Sequence, residues 1–311
     1  MTIRDILTNI RERLQKAGIE DFEYESWVLL EWKLHIDRAE FYMNPNGEVR
    51  QELLEELEEV LLKREQRVPL QYLMGECEFM GFDFSVDERV LIPRQDTECL
   101  VELAVEDIRN VKTQNRCEFN NAADQKNEQK VKVLDLCTGS GCIGISVKKL
   151  CQNAEVILAD ISEGALAVAK KNAENLNANI TLIRGNLFEN IEGRFDYILS
   201  NPPYIPSQVI QGLMPEVKDH EPRLALYGEE DGLAFYRKII EQAPDYLNSN
   251  GRIYFEIGAE QGEDMIRLMT DMDRTLTEHI RRAADTMNIR LIDHVIVCED
   301  KFYSFADEGL L

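Results

Sequence analysis

Two short segments carry residue types that chemistry would need. The first is Val133-Leu-Asp-Leu-Cys-Thr-Gly-Ser-Gly-Cys-Ile-Gly-Ile-Ser146, an apolar run that reads as a buried strand passing through glycines into a helix. Gly139 and Gly141 let the backbone turn sharply and let a ligand approach where a side chain would block it. With Gly144 they satisfy the spacing Gly-x-Gly-x-x-Gly, and Asp160 stands at the end of the next expected strand, placed to accept from ribose hydroxyls. The combination points to an adenosine-containing cofactor. A nicotinamide dinucleotide and S-adenosylmethionine both fit it, and a Gly-rich turn this short also arises for structural reasons alone.

The second segment is Asn201-Pro202-Pro203-Tyr204, delivered by an expected strand from Phe195 to Ser200 to the carboxyl edge of a sheet, where open α/β sheets bind ligands. Consecutive prolines fix both φ angles and remove both N–H donors, so the carbonyls of this loop are left as acceptors. The Asn201 side-chain oxygen and the Pro202 carbonyl suit the two hydrogens of a planar amide or amine, with Tyr204 stacking on its π-face. The nitrogen lone pair then points at an electrophile. A rigid turn ending a strand is the plain alternative for this tetrapeptide alone. Hydride transfer calls for an acid or base, often His, and only His220 is a candidate near this edge, so methyl transfer fits better.

Elements must position these segments. Apolar side chains recur at helical spacing at Ile3, Ile6, Leu7, Ile10 and Leu14, at Trp27, Leu30 and Leu34, and at Val49, Leu53, Leu57, Val60 and Leu61, which reads as a small all-helical domain over 1–74. Its third helix carries a row of glutamates, Glu48, Glu52, Glu55, Glu56, Glu58, Glu59 and Glu65, best read as a solvated face, with a docking surface for a basic partner as the rival. Between 75 and 93 the period changes to two around a Met80-Gly81 turn, giving a β-hairpin linker. A helix is expected over 97–111, and residues 112–130, nearly free of large apolar side chains, read as a mobile surface insertion. From Val131 strands and helices alternate: strands over 131–136, 155–160, 180–184, 195–200 and 253–257, helices to 150 and over 162–177 and 232–247. Such alternation predicts an α/β fold with a doubly wound, mostly parallel Rossmann-like sheet from 94 onward.

Composition removes other classes. The 311 residues carry 35 Lys plus Arg against 58 Asp plus Glu, a formal charge of −23, so nothing favours a phosphate backbone or an anionic membrane. There is no apolar run long enough to span a bilayer, and the opening Met-Thr-Ile-Arg-Asp-Ile lacks a secretory pattern, which predicts a cytoplasmic protein. Seven cysteines without a Cys-x-x-Cys pair and four scattered histidines indicate neither a disulfide framework nor a metal site.

Further blocks make the chain specific. Pro69-Leu-Gln-Tyr-Leu-Met-Gly75, Phe79-Met-Gly-Phe-Asp-Phe84, Val90-Leu-Ile-Pro-Arg-Gln-Asp-Thr-Glu98, the glycine loop, Asn201 to Ile205, Glu221-Pro-Arg-Leu-Ala-Leu226, Asp231-Gly-Leu233 and Glu256-Ile-Gly258 resemble, in order, the blocks of the HemK/PrmC family. These are protein-(glutamine-N5) methyltransferases that modify the Gly-Gly-Gln loop of bacterial peptide chain release factors. The resemblance covers roughly residues 1 to 268. It implies S-adenosyl-L-methionine as cofactor, a helical N-terminal domain that helps recognise the release factor, and a methyltransferase-type catalytic domain. Residue by residue, Cys137, Thr138, Gly139, Ser140 and Gly141 match the family's cofactor loop and Asp160 its ribose ligand. Asn186 and Leu187 match the segment beside adenine, and Asn201, Pro202, Pro203 and Tyr204 match the substrate-amide clamp. Arg94 and Glu98 match a segment bordering the site.

Two positions depart from that pattern. Cys137 stands where the family has its first loop glycine and Asn186 where it has an acid, which predicts weaker cofactor binding if those positions need a free φ or a charge. The last forty or so residues depart altogether and resemble the C-terminus of RadC-like JAB-domain proteins, without the paired histidines of a zinc site. A helix over 276–287 and strands over 289–297 and 301–305 are in the order needed to close a methyltransferase sheet. The expected reaction is methyl transfer to a release-factor glutamine, with no membrane and no direct nucleic-acid partner. An adenine-amino methyltransferase and a catalytically impaired cofactor-binding protein are the rivals.

Overall fold

In the computed structural model, residues 1–118, 130–269, 295–298 and 301–304 are described. The apolar spacing of the first seventy residues closes into helices α1 (Ile3–Lys16), α2 (Phe22–Leu34), α3 (Arg38–Met43), α4 (Gln51–Glu65) and α5 (Leu70–Met74). Thr2 opens α1 with a capping box, its hydroxyl accepting from the Asp5 N–H while the Asp5 carboxylate accepts from the Thr2 N–H. Ile6, Ile10, Leu14, Leu29, Leu30, Leu57 and Leu61 form a core belonging to these helices alone. The acidic row on α4 is partly spoken for: Arg13 of α1 donates to both Glu58 and Glu65. The sequence missed α3 and α5, which are too short for a helical period to register.

Strands β1 (Glu76–Phe79) and β2 (Phe82–Ser85) pair antiparallel about the expected turn. They do more than link, because Phe79 and Phe84 are fully buried in the core that α6 (Asp96–Glu118) shares with the central sheet. Helix α6 runs to Glu118, beyond the expected end, so the first part of the segment read as an insertion is helical; the rest of it lies outside the described residues.

The alternating half forms β3 (Val131–Leu136), α7 (Cys142–Leu150), β4 (Ala154–Asp160), α8 (Glu163–Asn175), β5 (Thr181–Arg184) and β6 (Phe195–Ser200). After β6 come three short helices, α9 (Ser207–Ile210), α10 (Pro215–His220) and α11 (Arg223–Leu226), then α12 (Ala234–Tyr246) and β7 (Leu247–Phe255). All five strands are parallel, in the order β5-β4-β3-β6-β7. Their side chains alternate between two layers: Val133, Val156, Leu158 and Leu199 face α6, α7 and the hairpin, while Leu134, Leu136 and Ile198 face α12. Burial on both faces is why these strands are nearly continuous apolar runs.

The tail is where expectation and structure part. Strands β8 (Val295–Cys298) and β9 (Lys301–Ser304) do pair antiparallel, but as a separate two-stranded sheet rather than as added strands of the central one. The helix expected over 276–287 lies outside the described residues. Among the described residues no helix is long and apolar enough to cross a membrane.

Candidate active site

Strand order makes the site. The chain builds outward from β3 to β4 and β5, then returns to lay β6 and β7 on the other side of β3, so the carboxyl ends of β3 and β6 flank a topological switch point. Register brings the two segments level there: Leu136 pairs with both Ala159 and Ser200, Asp160 with Arg184, and Ser200 with Phe255. Cys137, Asp160, Gly185, Asn201 and Glu256 therefore sit side by side along one edge. A cavity of about 330 Å³ opens over this edge.

Of the residues picked out in the sequence, Cys137, Thr138, Gly139, Ser140, Asp160, Asn186, Leu187, Asn201 and Pro203 line that cavity. Gly141, Pro202 and Tyr204 are not in its wall. Gly141 is the N-cap of α7 at φ +82°, and a Cβ there would meet Leu158 and Ala169 at 3.2 Å, so its smallness serves packing of helix on sheet. Tyr204 packs beside Leu233, Tyr236 and Met265, with its carbonyl accepting from Gln261 Nε2 at 3.2 Å. Gly228 and Gly232 press against the Tyr204 backbone, where a Cβ on Gly232 would lie 2.3 Å from its carbonyl oxygen. Arg94 also lines the cavity, whereas Glu98 does not: its carboxylate accepts from the Met80 N–H at 2.6 Å and braces the hairpin turn. His220 faces the other way, its Nε2 3.0 Å from the Gln66 carbonyl.

The glycine turn is tied down from beneath and from the side. Asp135, fully buried, accepts on Oδ2 from the Thr138 hydroxyl at 2.5 Å and from the Gly144 N–H at 2.9 Å, while Oδ1 has no partner among the described residues. Burial pushes its carboxyl up to about 7, opposed by those two hydrogen bonds. A Cβ on Gly144 would lie 2.2 Å from Leu158 and 3.0 Å from the Asp135 carboxylate, so the third glycine permits close helix–strand packing. Asp160 accepts from the Gly139 N–H and the Ser162 N–H, both at 2.9 Å. Its remaining lone pairs are free to accept at the cavity wall. Burial raises its carboxyl above the ordinary range, against the pull of these backbone N–H groups.

Backbone strain marks the same place. Cys137 has φ +58° and Leu187 φ +54°, left-handed conformations that cost a non-glycine residue about 1–2 kcal/mol each. The position at which the sequence departs from a glycine is thus one where the chain does require a left-handed residue. Burial raises the Cys137 thiol far above its ordinary range, leaving it a neutral packing group. A Cβ on Gly139, at φ +57°, would meet nothing within 4 Å, so this stretch of turn presents bare backbone to open space.

Across the cavity stands the donor-free lip. Among the described residues no hydrogen bond is made to the carbonyls of Asn201, Pro202 or Pro203. The Asn201 side chain meets the Glu256 carboxylate, as does Thr97. Burial raises the Glu256 carboxyl, the contacts with Thr97, Asn201 and Tyr204 work against this, and among the described residues Oε2 has no hydrogen-bond partner. The Asn201 and Tyr204 side chains thus both meet Glu256 beside the lip. Glu256 had no role legible in the sequence beyond its place in a family block. The signal was topological: it is the first residue after β7, and its N–H donates to the Ser200 carbonyl at 3.1 Å, beside Asn201.

Comparison with known proteins agrees in kind. Residues 5–75 match the PrmC N-terminal domain, 121–214 the methyltransferase small domain, and 269–310 the RadC-like JAB domain. The chain is 39% identical over 270 residues to a protein of Geobacter sulfurreducens named release factor glutamine methyltransferase, covering 86% of this chain and 88% of that one. A protein of the same name from Clostridium acetobutylicum is 38% identical over 274 residues, covering 86% and 90%. A solved methyltransferase from Pyrococcus furiosus is 18% identical with a TM-score of 0.40, covering 73% of this chain and 88% of that one.

Proposed function

The chain belongs to the release factor glutamine methyltransferase family, and from that premise we propose that it methylates the side-chain amide nitrogen, N5, of the glutamine in the Gly-Gly-Gln loop of a peptide chain release factor. Family membership makes it an S-adenosylmethionine-dependent enzyme. The residues suit that cofactor: bare glycine backbone on one wall and a carboxylate with spare acceptor capacity a strand away are what a nucleoside with ribose hydroxyls requires. In this reading the turn from Cys137 to Ser140 cradles the cofactor, Asp160 accepts from its ribose, and Asn186 and Leu187 border the adenine. Gly141 holds the turn in place from behind.

When bound, the cofactor supplies an electrophilic methyl group on a positively charged sulfur. The chain's own task is to present a nucleophile to it. An amide nitrogen is a poor one because its lone pair is delocalised, so alignment and stabilisation of growing positive charge must provide the acceleration. Asn201 Oδ1 and the Pro202 carbonyl accept the two N–H bonds of the substrate carboxamide and turn its nitrogen toward the methyl. The same two oxygens stabilise the charge that grows on nitrogen as the N–C bond forms. Pro203 keeps the lip rigid, and Tyr204 anchors it through Gln261 and the Gly228 and Gly232 contacts. The nitrogen's surplus proton is then acidic enough to leave to water, and no strong general base is needed.

The observation that carries this reading is that Asn201 and Pro203 of the lip line the same cavity as the glycine turn, while among the described residues no hydrogen bond is made to the carbonyls of Asn201, Pro202 or Pro203. The helical region of residues 1–74 serves in this reading as the recognition domain for the release factor, and the charge of −23 argues for a protein rather than a nucleic-acid substrate. The test is mass spectrometry of a purified release factor after incubation with the protein and S-adenosylmethionine, with duplex DNA as a parallel substrate. A mass gain of one methyl on the loop glutamine is expected; methylated DNA with an unmodified release factor would overturn the assignment.

A further inference from the structure

The helical region and the sheet are joined by a buried ionic knot. Arg64, at the end of α4 and 3% exposed, donates to Glu25 of α2 through Nε at 2.7 Å and Nη2 at 3.0 Å. The same Nη2 donates to Glu216 Oε1 at 2.9 Å. Arg67, two residues past α4, completes a fork on Glu216, with Nε to Oε1 at 2.7 Å and Nη2 to Oε2 at 2.6 Å. Its remaining Nη1 donates to the Gly18 carbonyl at 2.7 Å and the Ala17 carbonyl at 3.2 Å, at the end of α1. Glu216 is 8% exposed, so both of its oxygens are committed away from water. Burial opposes its charge, and the hydrogen bonds from Arg67 and Arg64 outweigh it and hold the carboxyl below the ordinary range.

What Glu216 belongs to gives the knot its meaning. It lies on α10, within the segment that leaves the lip after Tyr204 and returns to it: the Ile205 N–H donates to the Leu226 carbonyl at 3.0 Å and the Gly228 N–H to the Ile205 carbonyl at 2.9 Å. Between these ends the segment supplies Pro222, Leu224 and Ala225 to the cavity wall. Glu221, next to α10 with its side chain 1% exposed, accepts from Arg94 Nη2 at 2.6 Å at the same wall. The knot thus fastens three helical-region elements to a segment that frames the acceptor side of the cavity. The glycine turn and Asp160 are held independently, by β3, β4 and Asp135.

A buried ion pair is not needed for stability as such, since apolar packing of similar volume often does as well; its bidentate geometry fixes where two bodies sit relative to each other. We propose that Glu216 is a positioning residue for the reaction: through Arg64 and Arg67 it locks the acceptor wall to the helical region, so that a release factor gripped by the helices presents its glutamine to Asn201 in register. This rests on the reading of the helical region as the recognition domain.

The test compares Glu216→Gln, Arg67→Gln and Arg67→Lys with the unaltered protein. It measures kcat and KM for a purified release factor and S-adenosylmethionine affinity by calorimetry. A misplaced acceptor should lower kcat/KM for the release factor about tenfold or more in the two Gln variants, carried mainly by kcat. Cofactor affinity should stay within about threefold, and Arg67→Lys, which keeps the charge, should recover part of the loss. Arg67 sits at the rim of the knot, so its variants report even if Glu216→Gln does not fold. Unchanged release-factor kinetics, or a loss matched by an equal loss of cofactor affinity, would overturn the positioning role. An unaltered protein inactive on release factor would instead overturn the functional assignment on which the role depends.

Discussion

Replacing Asn201 by Ala separates the acceptor from the cofactor more cleanly than any other single change. The Asn201 side chain meets Glu256 beside the lip, so the substitution deletes one acceptor oxygen and leaves the Pro202 carbonyl in place. Loss of one aligned group acting on developing charge costs about 2–4 kcal/mol of barrier, which is roughly 30- to 1,000-fold in rate. The glycine turn and Asp160, which lie on β3 and β4, do not depend on Asn201, so cofactor affinity should move by less than about threefold. The assay is single-turnover transfer of a labelled methyl group to release factor at saturating cofactor, with calorimetry for binding. Asn201→Asp is the sharper companion: it keeps the shape but sets a second carboxylate against Glu256, and should be at least as slow. Turnover by Asn201→Ala within about threefold of the unaltered protein would refute the clamp. So would a fall in cofactor affinity that accounts for the whole loss.

Two other outcomes follow from the same geometry. Because burial raises the Asp135 carboxyl to about 7 in the folded state from an ordinary 3.8, the folded protein holds a proton there that the unfolded chain has lost. Stability should therefore decline as pH rises from about 4 to 7, by up to ~4 kcal/mol from this group, and level off above; Asp135→Asn should remove that slope, as read by urea unfolding across the pH range. Gly232→Ala places a methyl against the Tyr204 carbonyl at a residue with φ +76°. It should lower stability by about 1–3 kcal/mol and slow methyl transfer while leaving cofactor affinity nearly intact, checked by thermal unfolding beside the transfer assay.

How legible the site was depended on how local each residue's duty is. Gly139 and Asp160 were readable because a tight turn and an acid one strand later are properties of contiguous chain. Gly141 and Gly144 belong to the same spacing, yet what they do, letting α7 close on Leu158 and Ala169, depends on side chains from β4 and α8 that no local pattern announces. Tyr204 was expected to stack on the acceptor; its contacts with Leu233, Tyr236 and Met265 could not be read from the tetrapeptide, because they form only once α12 and the residues after β7 lie beside the lip. The hairpin read as a linker from its period, but the burial of Phe79 and Phe84 makes it part of the sheet's core. In the tail, strand-forming composition was visible and pairing was not: β8 and β9 take each other rather than the central sheet.

The sequence by itself determined the elements and the chemistry they could carry: helical and alternating periods, a glycine turn before an acid, and an asparagine followed by two residues with no N–H to give. These are set by covalent spacing and by the donors and acceptors each residue owns. Only the tertiary structure decided that β6 returns beside β3, bringing Asn201 level with Cys137, that Glu256 comes against the Asn201 side chain, and that Glu216 ties the acceptor wall to distant helices. Those contacts join residues far apart in the chain, and their energy appears only after strand order and register have closed the distance.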